Sequence, residues 1–180
     1  MFGAPNQTIE ELEHDLNIIS NLKPDHVSAY SLTIEKGTPF FQSYSKGILK
    51  LPTDELFLEM MSLISINLSA EGFNRYEISN YSKPGYESLH NKRYWDRYPY
   101  LGLGAGAHSF EKTSNQYGKR WSNLSSPEKY ISEIQKNGFA SSWNEILSEK
   151  EAYFEFFFTG LRNIKGVSLC QFKEEFGIDS

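Results

Sequence analysis

The chain has 180 residues, 15% of them aromatic, and a formal net charge of −5. That length fits one domain or one and a fraction, with enough bulky side chains to build a core. No basic surplus exists for general binding to nucleic acid, no run of about 18 apolar residues offers a membrane span, and a lone cysteine, Cys170, allows neither an internal disulfide nor a cysteine-based metal cluster.

The opening MFGAPNQT lacks the charged and apolar regions of a signal peptide, so the cytoplasm is the expected location. Phe2-Gly3-Ala4-Pro5 reads as a strand end running into a turn with no strand ahead of it, which suggests a fragment. Residues 8–23 carry a helix signature: Thr8 and Glu11 can form a capping box, Leu12, Leu16, Ile19 and Leu22 recur at helical spacing with Ile18 beside them, and Pro24 ends the run. Asp25 to Ile34 alternates like a strand and is stopped by Glu35-Lys36-Gly37-Thr38-Pro39. Residues 40–52 read as a polar loop. A longer helix follows from the Thr53-Asp54 cap through Leu56, Phe57, Met60, Met61, Ile64 and Leu68 to Gly72, its Met and Phe residues serving as core. Phe73 to Ile78 reads as the next strand. This αβαβ order favours a parallel sheet.

Beyond Phe110 the character changes. Glu111 to Gly118 reads as a hairpin tip. Ser126-Pro127-Glu128 starts a helix with Tyr130, Ile131 and Ile134 that ends near Gly138. Another begins near Ser148, with Ala152, Tyr153, Phe156, Phe157 and Leu161 on one side. Val167-Ser168-Leu169 introduces a last helix through Phe172 and Phe176. The second part is expected to be small and mostly helical.

Chemistry concentrates between Arg75 and Phe110. His90-Asn91-Lys92-Arg93-Tyr94-Trp95 places an imidazole near two large aromatics, and Gly102 to Ser109 is a run of small residues ending in His108. Such a run marks backbone that something approaches closely. The histidine and aromatics fit a metal or flat-ligand site, or equally a buried hairpin with aromatic cross-strand pairs. Gly3 to Thr8 sits where ligands bind in parallel α/β folds, as does Thr33, but the glycine spacing and lysine of a phosphate loop are missing. Glu35 and Glu77 form at most a weak acid/base pair. His14 and His26 read as ordinary helix and loop residues. Cys170 reads as a small buried side chain rather than a low-pKa thiolate.

Five blocks in order, FGAPNQT, PDHVSAYSLTIEKGTPF, YEISNYSKPGYESLHNKRYW, YLGLGAGAHS and FFFTGLRNIKGVSLCQF, resemble the HemW-type haem chaperones. These stand in the radical-SAM group that includes oxygen-independent coproporphyrinogen III oxidase. His90-Asn91-x-x-Tyr94-Trp95 resembles the HNxxYW motif that separates chaperones from oxidases, and in that family its histidine is implicated in haem binding. The resemblance implies an α/β fold: the second half of an incomplete (β/α)6 TIM-like barrel over 1–112, with an aromatic hairpin, then a small, mostly helical C-terminal domain, cut short, over 113–180. Full-length relatives are implied to hold S-adenosylmethionine (SAM) and a [4Fe-4S] cluster. The cluster's Cys-x-x-x-Cys-x-x-Cys loop is absent here, so this chain is not expected to be catalytic alone. Thr33 and His108 are the positions that match SAM contacts, through backbone or packing. The implied function is to bind haem and pass it to recipient haemoproteins, with His90 as iron ligand, Tyr94 and Trp95 as walls, and Lys92 or Arg93 meeting the propionates. The rival is the oxidase itself, in porphyrin biosynthesis.

Overall fold

The computed structural model describes residues 1–113 and 117–178, and the chain packs as two compact units, Met1–Glu87 and Ser88–Ser180. In the first unit, helix α1 (Ile9–Leu22) begins with the expected capping box. The Thr8 hydroxyl accepts from Glu11 N at 3.2 Å and the Glu11 carboxylate from Thr8 N at 3.0 Å. Lys23, left-handed at φ 50°, ends it. Helix α3 (Asp54–Ala70) starts at the Thr53 cap. Leu12 and Leu16 of α1 meet Met60, Ile64 and Leu68 of α3, together with Phe2, Phe73 and Tyr81, to form the core. Each such side chain stabilises the fold by about 1.5–3 kcal/mol relative to exposure. Leu22, expected on the same stripe, and Ile18 beside it are exposed.

The strands differ from expectation. Strand β1 (His26–Ser28) is shorter than the Asp25–Ile34 run, and the segment 73–78 does not stay extended. Only β2 (Asn74–Arg75) lies within it, and a turn leads to β3 (Asn80–Ser82), because the Glu77 carboxylate accepts from Ser79 N at 2.9 Å and from the Asn80 amide, folding the chain back. The order is β1-β3-β2 and both pairings are antiparallel. Parallel pairing survives at the Phe2–Ser31 bridge, where Phe2 N donates to Tyr30 O and Leu32 N to Phe2 O. The polar loop expected at 40–52 contains helix α2 (Pro39–Ser45): the Thr38-Pro39 pair that stops the strand also caps and starts a helix.

In the second unit, α4 (Leu89–Trp95) precedes a three-stranded antiparallel sheet of β4 (His108–Glu111), β5 (Lys119–Asn123) and β6 (Ser141–Ile146), in that order. The sheet is an addition to the mostly helical part that was expected. β6 is almost wholly exposed, so no buried periodicity announces it. The hairpin expected at 111–118 joins β4 to β5, with Glu111 opposite Lys119, while residues 114–116 lie outside the described residues. β4 and β5 both belong to the Ser88–Ser180 unit. Helix α5 (Pro127–Asn137) runs from the Ser126 cap to Gly138, and α6 (Glu149–Gly160) opens with a Ser148–Glu151 capping box. Helix α7 (Leu169–Phe176) stacks Phe172 and Phe176 edge-on against Tyr153 of α6, at 4.9 and 4.7 Å between rings. Leu161, expected on the same side of α6, is exposed.

Candidate functional site

The His90 motif lies on a helix and not in a hairpin. Ser88 caps it, its hydroxyl accepting from Asn91 N at 3.2 Å. Helical geometry then sorts the motif residues. His90 and Tyr94, four apart, share a face, their rings 4.8 Å apart and edge-on. Tyr100 extends this row, 4.6 Å from Tyr94. His90 is exposed and Tyr94 half-buried. Trp95, five residues on from His90, points roughly 140° away around the helix. It packs toward the end of α6 and the turn after it: the Arg162 guanidinium lies 4.5 Å over its ring, and its carbonyl accepts from Thr159 Oγ1 at 3.3 Å. Asn91 is half-buried on the Trp95 side at helical spacing. The motif therefore has an outer half, His90 and Tyr94, and an anchoring half, Asn91 and Trp95.

The end of α4 is fixed by its own chain. Tyr98 N donates to Arg93 O at 2.9 Å and Arg97 N to Tyr94 O at 3.2 Å, with Arg97 left-handed at φ 51°. This is a Schellman closure, unusual in having arginine at the left-handed position. The Arg97 side chain is buried: it donates to Glu175 Oε1 at 2.5 Å and to Tyr117 O at 2.7 Å, and lies 3.6 Å from Glu155. Arg120 also pairs with Glu155, and Lys112 with Glu175 at 3.3 Å. Burial lowers the Arg97 pKa, opposed by the charge of Glu175. Burial raises the Asp96 carboxyl, with Lys92 pulling the other way, and burial likewise raises the Tyr100 phenol. Tyr100 accordingly stays a neutral hydroxyl near pH 7.

The other sequence candidates fall elsewhere. His108 is exposed on β4 with Trp143 6.4 Å away as its ring neighbour. The small-residue run before it is approached by its own unit. Gly102 N donates to Ser109 Oγ and Gly104 N to the Tyr130 hydroxyl, while the Asn123 amide donates to the carbonyls of Gly102 and Gly104. A Cβ on Gly102 would collide with the His108 carbonyl. Thr33 is exposed and belongs to the Met1–Glu87 unit. The Gly3–Thr8 turn is closed by Gln7, whose side chain accepts from the amides of Gly3 and Ala4. Glu77 is buried in its turn and Glu35 is exposed. His14 is exposed on α1, and His26 bonds the Tyr76 hydroxyl at 2.8 Å. Cys170 is exposed rather than buried, and its bond to Glu174 raises the thiol pKa, away from thiolate character.

Among the described residues, no three His, Cys, Asp or Glu side chains converge as a metal site, and no helix is long and apolar enough to cross a membrane. An exposed imidazole bordered by tyrosines can ligate the iron of a flat ligand laid against it. Sequence reasoning missed Tyr100, Arg97, Thr159 and Arg162. The last two stand in the FTGLRNIKGV stretch, but no spacing rule links them to Trp95.

No protein-family model matches the chain. It is similar to the "Heme chaperone HemW" of Bacillus subtilis (strain 168), with 39% identity over 177 residues, 98% of this chain and 45% of that protein. The corresponding protein of Lactococcus lactis is 35% identical over 176 residues, again 98% of this chain and 45% of the relative. A zebrafish (Danio rerio) protein described as "Radical S-adenosyl methionine domain-containing protein 1, mitochondrial" is 30% identical over 171 residues, 93% of this chain and 38% of its own length. The chain thus spans less than half the length of these relatives. Among solved structures, the radical SAM enzyme coproporphyrinogen III oxidase (HemN) of Escherichia coli matches with a TM-score of 0.72 at 16% identity, covering 98% of this chain and 42% of that one. This shows the fold class: a partial barrel of the radical SAM type followed by a smaller part rich in helix.

Proposed function

This chain belongs to the HemW/HemN-like radical SAM family, corresponding to its C-terminal half, and on that premise we propose that it carries the haem-handling part of a haem chaperone. The observation that supports this reading is the outer face of α4, where the exposed His90 stands edge-on to Tyr94 with Tyr100 beyond it. A haem is a flat apolar disc whose iron accepts an imidazole. In this reading His90 is the axial ligand and Tyr94 rests against the disc. Arg93, exposed one residue before Tyr94, meets a propionate, with Lys92 as the alternative cation. Asn91 and Trp95 hold the helix in place.

The whole protein would bind haem and pass it to recipient haemoproteins in the cytoplasm, with SAM and a [4Fe-4S] cluster regulating or assisting the transfer. Thr33 and His108 would stand on the SAM side, and 1–112 and 113–180 would be the limits of barrel part and C-terminal domain. A single cysteine cannot supply the three thiolates of such a cluster, so the residues present do not fit it, and the chain alone is proposed to be a binder without catalysis. The oxidase alternative gains only the shared fold.

A haem titration followed at the Soret band tests the reading. Saturable binding by the chain is expected, and His90→Ala should weaken it by at least about 100-fold, more than an outer partner of a metal ligand contributes. Binding unchanged by the substitution would remove His90 as the ligand.

A further inference from the structure

We propose that Arg162 is a positioning residue for haem binding, acting through Trp95 to set the stance of α4; this rests on the haem reading above. A seven-residue helix is marginal in isolation, and no side chain of α4 is fully buried. Its position must come from attachments, and α6 with the turn that follows it supplies two. Thr159 Oγ1 lies 3.3 Å from the carbonyl of Trp95, one of the four that a helix C-terminus leaves without an intrahelical partner, and shares its single proton between that carbonyl and Glu155 O at 2.8 Å. The other three are closed locally, by the amides of Asp96, Arg97 and Tyr98. Arg162 provides the second attachment by lying 4.5 Å over the Trp95 ring.

Arg162 is an unusual partner. Among the described residues no carboxylate forms an ion pair with it, and its Nε is buried without an acceptor. A planar cation left without a carboxylate keeps its orientation by stacking, and indole is the best surface for that. Its backbone is pinned as well. Arg162 N donates to Thr159 O at 3.1 Å and Asn163 N to Gly160 O at 3.0 Å. A Cβ on Gly160 would strike Val167, so the chain packs tightly two residues before Arg162. The two contacts grip the anchoring half of the motif, and His90 sits about one and a half turns back on the other side. A shift of Trp95 is therefore delivered to His90 as a tilt of the whole helix.

The test is a double-mutant cycle between Arg162 and His90 in the full chain, read by haem titration and by the position of the Soret band. Arg162→Ala is expected to lower haem affinity about tenfold and to shift the Soret band, the low end of what outer partners of metal ligands contribute. In the His90→Ala background the same change should alter affinity by less than about twofold, because the ligand it positions is gone. Arg162→Gln, which keeps a planar group without the charge, serves as the milder variant, and circular dichroism shows that each variant is folded. Unchanged affinity in folded Arg162→Ala or Arg162→Gln, or an equal loss with and without His90, would overturn the proposal and leave the haem reading standing. If His90→Ala itself binds haem as the parent chain does, the haem reading falls and the role of Arg162 with it.

Discussion

Arg97 turns the backbone out of α4 at φ 51°, and its guanidinium reaches Glu175 Oε1 of α7 at 2.5 Å. One residue thus ends the helix that bears His90 and neutralises a half-buried carboxylate on the last helix. The guanidinium also lies over the rings of Phe110 and Phe176, at 5.3 and 5.4 Å. Removing it would leave Glu155 and Glu175 short of a partner in a place with little water. Arg97→Ala should therefore cost about 3–5 kcal/mol, the range for breaking one side of a buried ion pair. Urea unfolding measures this, and a loss below about 1 kcal/mol would show that Arg120 and Lys112 suffice.

Gly102→Ala places a methyl group against the carbonyl of His108, which is backbone and cannot swing away. Destabilisation of about 1–3 kcal/mol is expected, as for other overpacked sites. Gly85, with open space around it but φ 87°, is the contrasting site, where only backbone strain opposes the substitution. Thermal melts of the two variants compare clash with strain.

Met60 is fully buried between the helices and sheet of the first unit. Met60→Ala should cost about 2–5 kcal/mol, depending on how far the cavity collapses. Denaturant midpoints at unchanged slope would verify that stability, and not compactness, has changed.

Acid should weaken the helix starts. The Ser148 hydroxyl and amide hold Glu151 below the usual 4.5, and hydrogen bonds at the helix starts lower Glu10, Glu55 and Glu128 too. A depressed carboxylate contributes stability above its unfolded value and loses it as pH falls through the folded value. Melting temperatures from about pH 6 to about pH 2 should fall, and Glu151→Gln should lose part of that slope.

At the alkaline end, the hydrogen bond from the Tyr153 hydroxyl to Glu149 raises the phenol from 10.0 to about 12. A raised value favours the protonated folded form, so this contribution is present below the ordinary value and is lost as pH climbs through about 12. Ultraviolet titration of phenolate should show a late-ionising tyrosine that disappears in Tyr153→Phe or moves earlier in Glu149→Gln.

What the sequence made legible were features with a local cause. Thr8, Thr53, Ser126, Ser148 and Ser168 each announce a helix by a hydroxyl that caps it, and all five helices follow. The Leu and Met stripes of α1 and α3 are buried where helical spacing puts them, except for Leu22 at the end of α1. Features with a distant cause stayed hidden. β5 and β6 pair by register, and neither the half-buried, mostly polar β5 nor the largely exposed β6 carries an alternation strong enough to signal a strand. The break at Glu77 depends on one carboxylate reaching two donors, which hydropathy cannot express. At the candidate site, His90 to Trp95 stood out by composition, but whether they lay on a hairpin or a helix turned on the Ser88 cap, and the clamp on Trp95 comes from residues more than sixty positions later.

The glycine-rich run has one last consequence. Three alternating glycines would ordinarily make a supple strap, quick to exchange its amide hydrogens with solvent. Here the amides of Gly102, Gly104 and Gly106 are held by Ser109, Tyr130 and Leu124, and the Asn123 side chain binds two of the carbonyls. The strap's stiffness is thus borrowed from β4, from α5 and from β5 with the residue that follows it. Its amides should exchange as slowly as those of a strand, and all together, on the timescale at which those neighbours open.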